Sequence, residues 1–313
     1  MLRALLFPAL ALIALAGPWL LGGGAAVFSA FVLIAIFATM AYGLDVIVSD
    51  LGEVSLAHPV FFACGAYATA ISTTRLGFGP VESLALTVLA ALALAAVIGL
   101  VTLRLREFVF SLVTYAVTVV AMTVAANWAF LGGSDGISGI PLFEIAGWQA
   151  RTDRDLWPVA WVLLMAAIYL VDAFRRSGLG QRAMTVHLNP ELATMSGIDP
   201  LRTRLQVFLV SAPITAGAGW LYAYQRAYIS ADVLETYFLI LMLTAVVLVG
   251  RRLLLAPLLG VGLILMQEKF FSFGGYVDSI VLGGALIVVL SFLPGGLAGL
   301  AGSGLRLLRR RRA

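Results

Sequence analysis

The chain has 313 residues, of which 62% are hydrophobic and only 12% charged, whereas soluble domains run at roughly 45–50% apolar and about 25% charged. This composition excludes a soluble globular protein and indicates one that spans a membrane. At about 20 residues per spanning helix, the apolar content provides about ten spans and leaves no room for a large extramembrane domain. A net charge of +4 would suggest a nucleic-acid partner in a soluble protein, but none is expected here.

Apolar runs predict a series of spanning helices along the chain. They lie at 4–21, 26–48, 54–74, 81–103, 107–130, 157–174, 205–226, 233–250, 253–268 and 277–293. We therefore predict a single transmembrane domain over 1–313, all-α and polytopic, with about 8–10 helices. The first span also has the features of a signal peptide, and its cleavage would leave the remaining topology unchanged.

The basic residues predict how the helices are oriented, because Lys and Arg favour cytoplasmic loops. With a cytoplasmic N-terminus, the opposite side carries five basic residues: Arg75, Arg151, Arg154, Arg226 and Lys269. The cytoplasmic side carries the other 15 of the 20, which are Arg3, Arg104, Arg106, Arg175, Arg176, Arg182, Arg202, Arg204, Arg251, Arg252, Arg306, Arg309, Arg310, Arg311 and Arg312. Both termini and the loop 175–204 are therefore predicted to be cytoplasmic, and the loop 131–156 lies outside.

The stretch 42–67 places four ionisable residues between apolar runs: Asp45, Asp50, Glu53 and His58. Such groups are costly at membrane depth unless they are paired or face water. Because Pro59 disfavours a helical His58, the pattern predicts unwound backbone from Ser49 to His58. A short helix then follows, with its N-terminus facing a substrate carboxylate or a neighbouring loop. The alternative is an ordinary cytoplasmic turn with Asp50 and Glu53 in solvent.

Polar residues in the fifth span are candidates for a translocation path. Thr114 and Thr118 share a helix face, and Asn127 lies further along. The alternative is that they bond backbone carbonyls or hold helices together. The candidate path comprises Asp45, Glu53, Ser55, His58, Thr114, Thr118 and Asn127.

Several enzyme classes are excluded or disfavoured. The only lysine is Lys269, so the phosphate-binding loop of a nucleotide hydrolase is missing, and His58 and His187 are too far apart for a two-histidine zinc motif. Ser134 and Ser138 lie in glycine-rich patterns that resemble serine-hydrolase motifs, but neither has the required strand or helix context. An intramembrane hydrolase stays a weak alternative.

The inside loop predicts two short amphipathic helices. Residues 181–187 form one, Pro190 suits the first turn of the second, and Gly197 would end it.

Three groups of motifs resemble the permease subunits of branched-chain amino-acid ABC importers. They are Gly43-Leu44-Asp45 with 52–58, Phe61-Phe62 and Gly65-Ala66-Tyr67; the outside segment 132–141; and Gly180-Gln181-Arg182-Ala183 with Asn189-Pro190-Glu191, Ala193 and Gly197-Ile198-Asp199. They occur in the family's order between about residues 25 and 270. Asp45, Glu53 and Ala57 depart from the family's usual Asn, Gln and Gly.

The resemblance implies a function for each loop. Residues coupling the chain to a separate ATPase would be Gly180, Gln181, Arg182, Ala183, Glu191, Ala193, Gly197, Ile198 and Asp199. Residues docking a solute-binding protein would be Gly133, Ser134, Asp135 and Gly136. The chain would bind no cofactor itself, since ATP and Mg²⁺ belong to the ATPases.

The same resemblance implies the cellular setting. The partners would be a second homologous permease, two ATPases, a periplasmic or lipid-anchored binding protein and membrane lipid, in a bacterial inner membrane. The substrate would be a branched-chain or other hydrophobic amino acid; urea, short amides and aromatic carboxylates stay open. An alternative from another class is an ion-coupled secondary carrier with Asp45, Asp50, Glu53 and His58 as its relay.

Overall fold

The computed structural model describes residues 14–270 except 103 and 106, together with residues 277, 280, 281, 283, 284 and 287. A helical segment at 14–20 comes first. It is followed by α1 Ala25–Asp50, α2 His58–Leu76, α3 Pro80–Thr102, α4 Glu107–Asn127, α5 Asp153–Arg176, α6 Gly178–Leu188, α7 Pro190–Met195, α8 Pro200–Arg226, α9 Thr236–Val249 and α10 Ala256–Phe270.

Five of these helices, α1, α3, α4, α5 and α8, are long and apolar enough to cross a membrane, and α9 and α10 are shorter apolar helices. Each predicted span from 26–48 to 253–268 coincides with a described helix. The prediction of an all-α polytopic membrane protein is confirmed. The first predicted span is described only from residue 14, and most of the last lies outside the described residues, as do both termini.

Helix α8 is the centre of the bundle and packs against α1, α2 and α3. Small residues allow this close packing: a Cβ added at Gly219 would collide with the carbonyl oxygen of Phe62, and one at Gly65 with that of Ala216. An aromatic cluster then fills the space beside α8, with the rings of Phe37, Phe62 and Phe238 in mutual contact. The α1, α2 and α8 helices therefore form a tightly packed unit.

The two ends of the bundle differ in structure. The inner end is where α1 ends and α2 begins, and it carries α6 and α7. The outer end carries two small antiparallel sheets that the sequence did not predict. In one, β1 Ile137–Ser138 pairs with β4 Tyr228–Ile229; in the other, β2 Phe143–Ile145 pairs with β3 Trp148–Ala150.

The described arginines follow the predicted division between the two ends. Arg75, Arg151, Arg154 and Arg226 lie on elements of the outer end. Those at the inner end are Arg104, Arg175, Arg176, Arg182, Arg202, Arg204, Arg251 and Arg252. The inner end is thus the one that the positive-inside rule places in the cytoplasm.

Candidate functional site

The loop between α1 and α2 is the segment that the sequence singled out. Helix α1 continues through Asp50, the loop spans 51–57, and α2 begins at His58 with Pro59 in its first turn. The predicted unwound segment from Ser49 to His58 was therefore wrong at both ends, because Ser49 belongs to α1 and His58 to α2. Helix α2 is also a full helix of 19 residues rather than a short one. Helix α1 can end on a carboxylate because an arginine compensates the charge at the negative end of the helix dipole.

That arginine is Arg175, in the last turn of α5. Its Nη2 lies 2.7 Å from Oδ2 of Asp45, and its Nε lies 2.9 Å from Oδ2 of Asp50. Both aspartates are only 1% exposed, and the arginine side chain is 11% exposed. Arg175 thus connects two carboxylates of α1 to α5 in a site nearly closed to solvent.

A second arginine extends this cluster. Nε of Arg252 lies 3.4 Å from Oδ1 of Asp50, and the backbone N–H of Arg252 donates to the Ser49 hydroxyl. That hydroxyl in turn donates to Asp45. We call Asp45, Asp50, Arg175 and Arg252 the inner ion network; it joins α1, α5 and the turn that precedes α10.

Glu53, in the loop itself, has its own partner. Its Oε1 lies 2.8 Å from Nη2 of Arg204 in the first turns of α8, and both side chains are about one-tenth exposed or less. The alternative of an ordinary turn with Asp50 and Glu53 in solvent was therefore wrong. These ion pairs could not be predicted from the sequence, because the partners lie more than a hundred residues apart along the chain.

His58 is fully buried at the start of α2. Its Nε2 lies 2.7 Å from the Ser211 hydroxyl, which donates its single proton to the carbonyl oxygen of Gly43, also at 2.7 Å. Nε2 must therefore be the donor to Ser211. This chain of hydrogen bonds fastens α2 to α8 and α1.

The threonines of α4 hold the 51–57 loop in place. Thr114 Oγ1 accepts from the N–H of Leu56 at 3.1 Å, and Thr118 Oγ1 donates to the carbonyl of Leu56 at 2.7 Å. The Ser111 hydroxyl donates to the carbonyl of Val54 at 2.8 Å. The contacts therefore favour the interpretation in which these hydroxyls bond backbone groups and hold the structure together.

The remaining two residues of the candidate path lie apart from each other. Ser55 is buried within the loop. Asn127 is exposed at the outer end of α4 and donates to the carbonyl of Thr123 in its own helix. The structure thus brings Asp45, Glu53, Ser55, His58, Thr114 and Thr118 together at the inner end and leaves Asn127 out.

Residues 178–199 project at the inner end, and we call them the coupling segment after the role that the sequence resemblance implies. This segment consists of α6, α7 and the turn that follows, as the sequence predicted. The Asn189 side chain caps α7 by accepting from the N–H groups of Glu191 and Leu192, and Pro190 is in the first turn. Asp199 caps α8 in the same way.

Gly197 ends α7 in the left-handed conformation, with φ at +78°. The N–H of Ile198 bonds to the carbonyl of Ala193, and the N–H of Gly197 bonds to that of Thr194, which is the pattern of a glycine-terminated helix. A Cβ added at Gly197 would meet no atom of this chain within 4 Å. The space beside Gly197 is therefore open to a partner.

The predicted coupling residues divide by exposure. Gly180, Ala183 and Ala193 are buried and hold the segment together, whereas the exposed ones are Gln181, Arg182, Glu191, Gly197 and Asp199, with Ile198 partly exposed. Three apolar side chains are exposed beside them: Leu188 at 72%, Leu192 at 58% and Met195 at 83%. This apolar surface was not predicted from the sequence.

The coupling segment contacts the residues just described. Nδ1 of His187 lies 3.1 Å from the carbonyl oxygen of Leu51, and the Arg252 guanidinium contacts the sulfur of Met184. Gly52 is packed against the His187 ring so closely that a Cβ there would collide with it. A displacement of α6 would therefore reach both the 51–57 loop and the inner ion network.

At the outer end, the four predicted docking residues form one surface turn. A short 3₁₀ helix covers Gly133–Asp135, with Ser134 and Asp135 exposed and both glycines partly exposed. The carbonyl of Asp135 accepts from the Tyr228 hydroxyl at 3.1 Å. Both histidines lie at the inner end, so neither is near Ser134 or Ser138.

The bundle of long apolar helices defines a multi-pass membrane protein. A model of the family described as "Branched-chain amino acid transport system / permease component" matches residues 26–290. The chain belongs to this permease family, and it is a transport permease rather than an enzyme.

Two curated relatives are similar over most of the chain. The high-affinity branched-chain amino acid transport system permease protein LivM of Salmonella typhimurium is 27% identical in an alignment that covers 94% of this chain and 75% of the relative. The protein of the same name from Escherichia coli is 26% identical over the same shares. No solved structure matches the chain.

Proposed function

We propose that the chain is the membrane-spanning permease subunit of an ATP-binding-cassette importer for branched-chain or other hydrophobic amino acids in a bacterial inner membrane. The match to the permease family over residues 26–290 is the observation that carries this proposal. The names of the relatives support the substrate class. Urea, short amides and aromatic carboxylates are the competing substrates.

The match to a permease component of a transport system implies partner subunits. The chain has one lysine, Lys269, and no phosphate-binding loop, so ATP and Mg²⁺ would be bound by two separate ATPase subunits. A second permease completes the membrane part, and a periplasmic or lipid-anchored binding protein delivers the solute. The glycine-rich turn at 133–136 is the surface assigned to that binding protein.

The coupling segment is the surface assigned to the ATPase. Its exposed Leu188, Leu192 and Met195 would fill an apolar groove, and the open space beside Gly197 allows close approach. ATP-driven closure of two ATPases would then shift α6. The contacts of His187 with Leu51 and of Met184 with Arg252 would pass that shift to α1 and to the turn before α10.

The contacts disfavour an ion-coupled carrier. A proton relay needs carboxylates that gain and lose protons during transport, yet Asp45 and Asp50 share Arg175, and Glu53 pairs with Arg204. The charge of each carboxylate is compensated inside the described bundle, so a structural role suits them better.

The orientation is tested by cysteine labelling from outside. In a Cys64→Ala background, Glu144→Cys in the outer hairpin should react with a membrane-impermeant maleimide in intact cells, because Glu144 is exposed. Glu191→Cys on α7 should react only after permeabilisation. Equal labelling of the two cysteines in intact cells would contradict the topology.

The transport function is tested by import with its partners. Cells that contain the complete complex should import leucine, and import should stop when the ATPase subunits are omitted. Unchanged import without the ATPases would contradict the proposal.

A further inference from the structure

A cleft of about 300 Å³ lies between α2, α3 and α4, away from the inner ion network. One face of α2 lines it, with Val60, Cys64, Tyr67 and Ile71 at helical spacing. Leu94 of α3 and small residues of α4 form the opposite walls. The part of α2 that lines the cleft, residues 60–71, is roughly 16 Å long, which is about half the hydrocarbon thickness of a bilayer.

Two residues of the outer end complete the lining of the cleft. Leu131 belongs to the 3₁₀ helix Ala129–Leu131, and Leu234 to the 3₁₀ helix Ala231–Leu234. The next residue, Gly132, is the N-cap of the 3₁₀ helix Gly133–Asp135 in the glycine-rich turn 133–136. A partner that docks on this turn would therefore act directly on one wall of the cleft.

The side chains that line the cleft are apolar except for the Cys64 thiol and the Tyr67 hydroxyl. Tyr67 is 6% exposed, and its hydroxyl has no hydrogen-bond partner among the described residues. A buried hydroxyl without a partner is unfavourable, so a polar ligand atom placed beside it would stabilise the complex. Asp232 is exposed in the 3₁₀ helix Ala231–Leu234, two residues from the cleft-lining Leu234, and its carboxylate accepts from the Ser230 hydroxyl at 2.8 Å.

We propose that this cleft binds the transported solute, with a branched aliphatic side chain along the apolar face of α2 and the polar end of the amino acid at Tyr67. The inference rests on the proposed import of hydrophobic amino acids and names the site at which they would bind. The volume is at the lower limit of small-molecule sites, which suits a single small amino acid rather than a bulky solute. The carboxylate of Asp232 is suited to the ammonium group.

The chain contains its own probe for this site, because Cys64 is the only cysteine in the sequence and lines the cleft while partly exposed. In membranes that contain the complete complex, N-ethylmaleimide should label Cys64, slowly because its surroundings are apolar. Leucine at ten times its half-saturating concentration should slow the labelling about tenfold. At that concentration the site is empty only about one-eleventh of the time, because the empty fraction is the reciprocal of one plus the ratio of the leucine concentration to its half-saturating value. Cys64→Ser provides the background.

A conservative substitution tests the polar end of the site. Tyr67→Phe keeps the ring and removes the hydroxyl, so the KM for leucine should rise several-fold and the protection of Cys64 by leucine should weaken. The labelling rate without leucine should not change. Tyr169→Phe is the matched control, because Tyr169 is 67% exposed on α5 and lines no part of the cleft.

The possible results distinguish failure of the proposed binding site from failure of the proposed transport function. If the complex imports leucine but Cys64 is labelled at the same rate with and without it, the cleft is not the binding site. Labelling that responds to the lipid composition and not to leucine would identify an acyl chain as the occupant and overturn the proposal equally. A complex that imports no amino acid at all would contradict the proposed function instead. If Tyr67→Phe does not reach the membrane, the protection of Cys64 by leucine in the unmodified chain decides whether the cleft is the binding site.

Discussion

Replacing Arg175 by alanine is expected to produce the largest loss of stability of any single arginine substitution at the inner end. The change leaves the Asp45 and Asp50 carboxylates buried without their main partner. Removing one partner of a buried ion pair costs roughly 3–5 kcal/mol. The purified variant in detergent should unfold at a clearly lower temperature, and its amount in the membrane should fall.

The neighbouring residue supplies the control. Arg176 pairs with Asp172 on the exposed side of the same helix, where its side chain is 78% exposed, so Arg176→Ala should change stability by about 1 kcal/mol or less. Adding Asp45→Asn and Asp50→Asn to Arg175→Ala should recover part of the lost stability, because no buried charge is then left unpaired. Equal unfolding temperatures for the two alanine variants would refute the importance of the inner ion network.

Gly197→Asp is expected to abolish solute import while the protein still reaches the membrane. The new side chain points into space that this chain leaves empty, so the bundle itself has no clash. The carboxylate would instead stand in the surface assigned to the ATPase, next to the apolar Leu192 and Met195. Import of radiolabelled leucine by cells and immunoblotting of their membranes measure the two effects separately.

Gly147 supplies the control for Gly197→Asp. A substitution at Gly147 has the same cost of placing a side chain on left-handed backbone but leaves the coupling segment unchanged. Gly147 has a φ of +82°, close to the +78° of Gly197, and an added Cβ there also meets nothing within 4 Å. It lies at the outer end, in the turn between β2 and β3. Gly147→Asp should therefore match Gly197→Asp in membrane level and retain import. Normal import by Gly197→Asp would contradict the proposal that the coupling segment contacts the ATPase.

The helices of the bundle could be predicted from the sequence because long apolar runs have few alternatives. The predicted span 26–48 became α1 Ala25–Asp50, and 81–103 became α3 Pro80–Thr102. Local signals also succeeded in the coupling segment, since Pro190 and Gly197 act on their own neighbours and need no distant partner. The outer sheets could not be predicted, because their strands have only two or three residues each.

The candidate site could be predicted only in part, because its contacts join distant segments. The carboxylates of Asp45, Asp50 and Glu53 were recognised as costly unless paired. Their partners, Arg175 and Arg204, counted in the sequence only as markers of the cytoplasmic side. The available signal was the presence of three carboxylates within residues 45–53 and of two arginines at the ends of the segment 175–204. That signal does not specify which carboxylate pairs with which arginine.

The most direct measurement of the central claim is solute import by purified components in proteoliposomes. The permease is reconstituted with its homologous permease and both ATPases, the binding protein and labelled leucine are added outside, and either ATP is enclosed or a proton gradient is imposed. Leucine should accumulate with enclosed ATP and should not accumulate with the gradient alone. Accumulation driven by the gradient with this chain alone, without ATP or ATPases, would contradict the account.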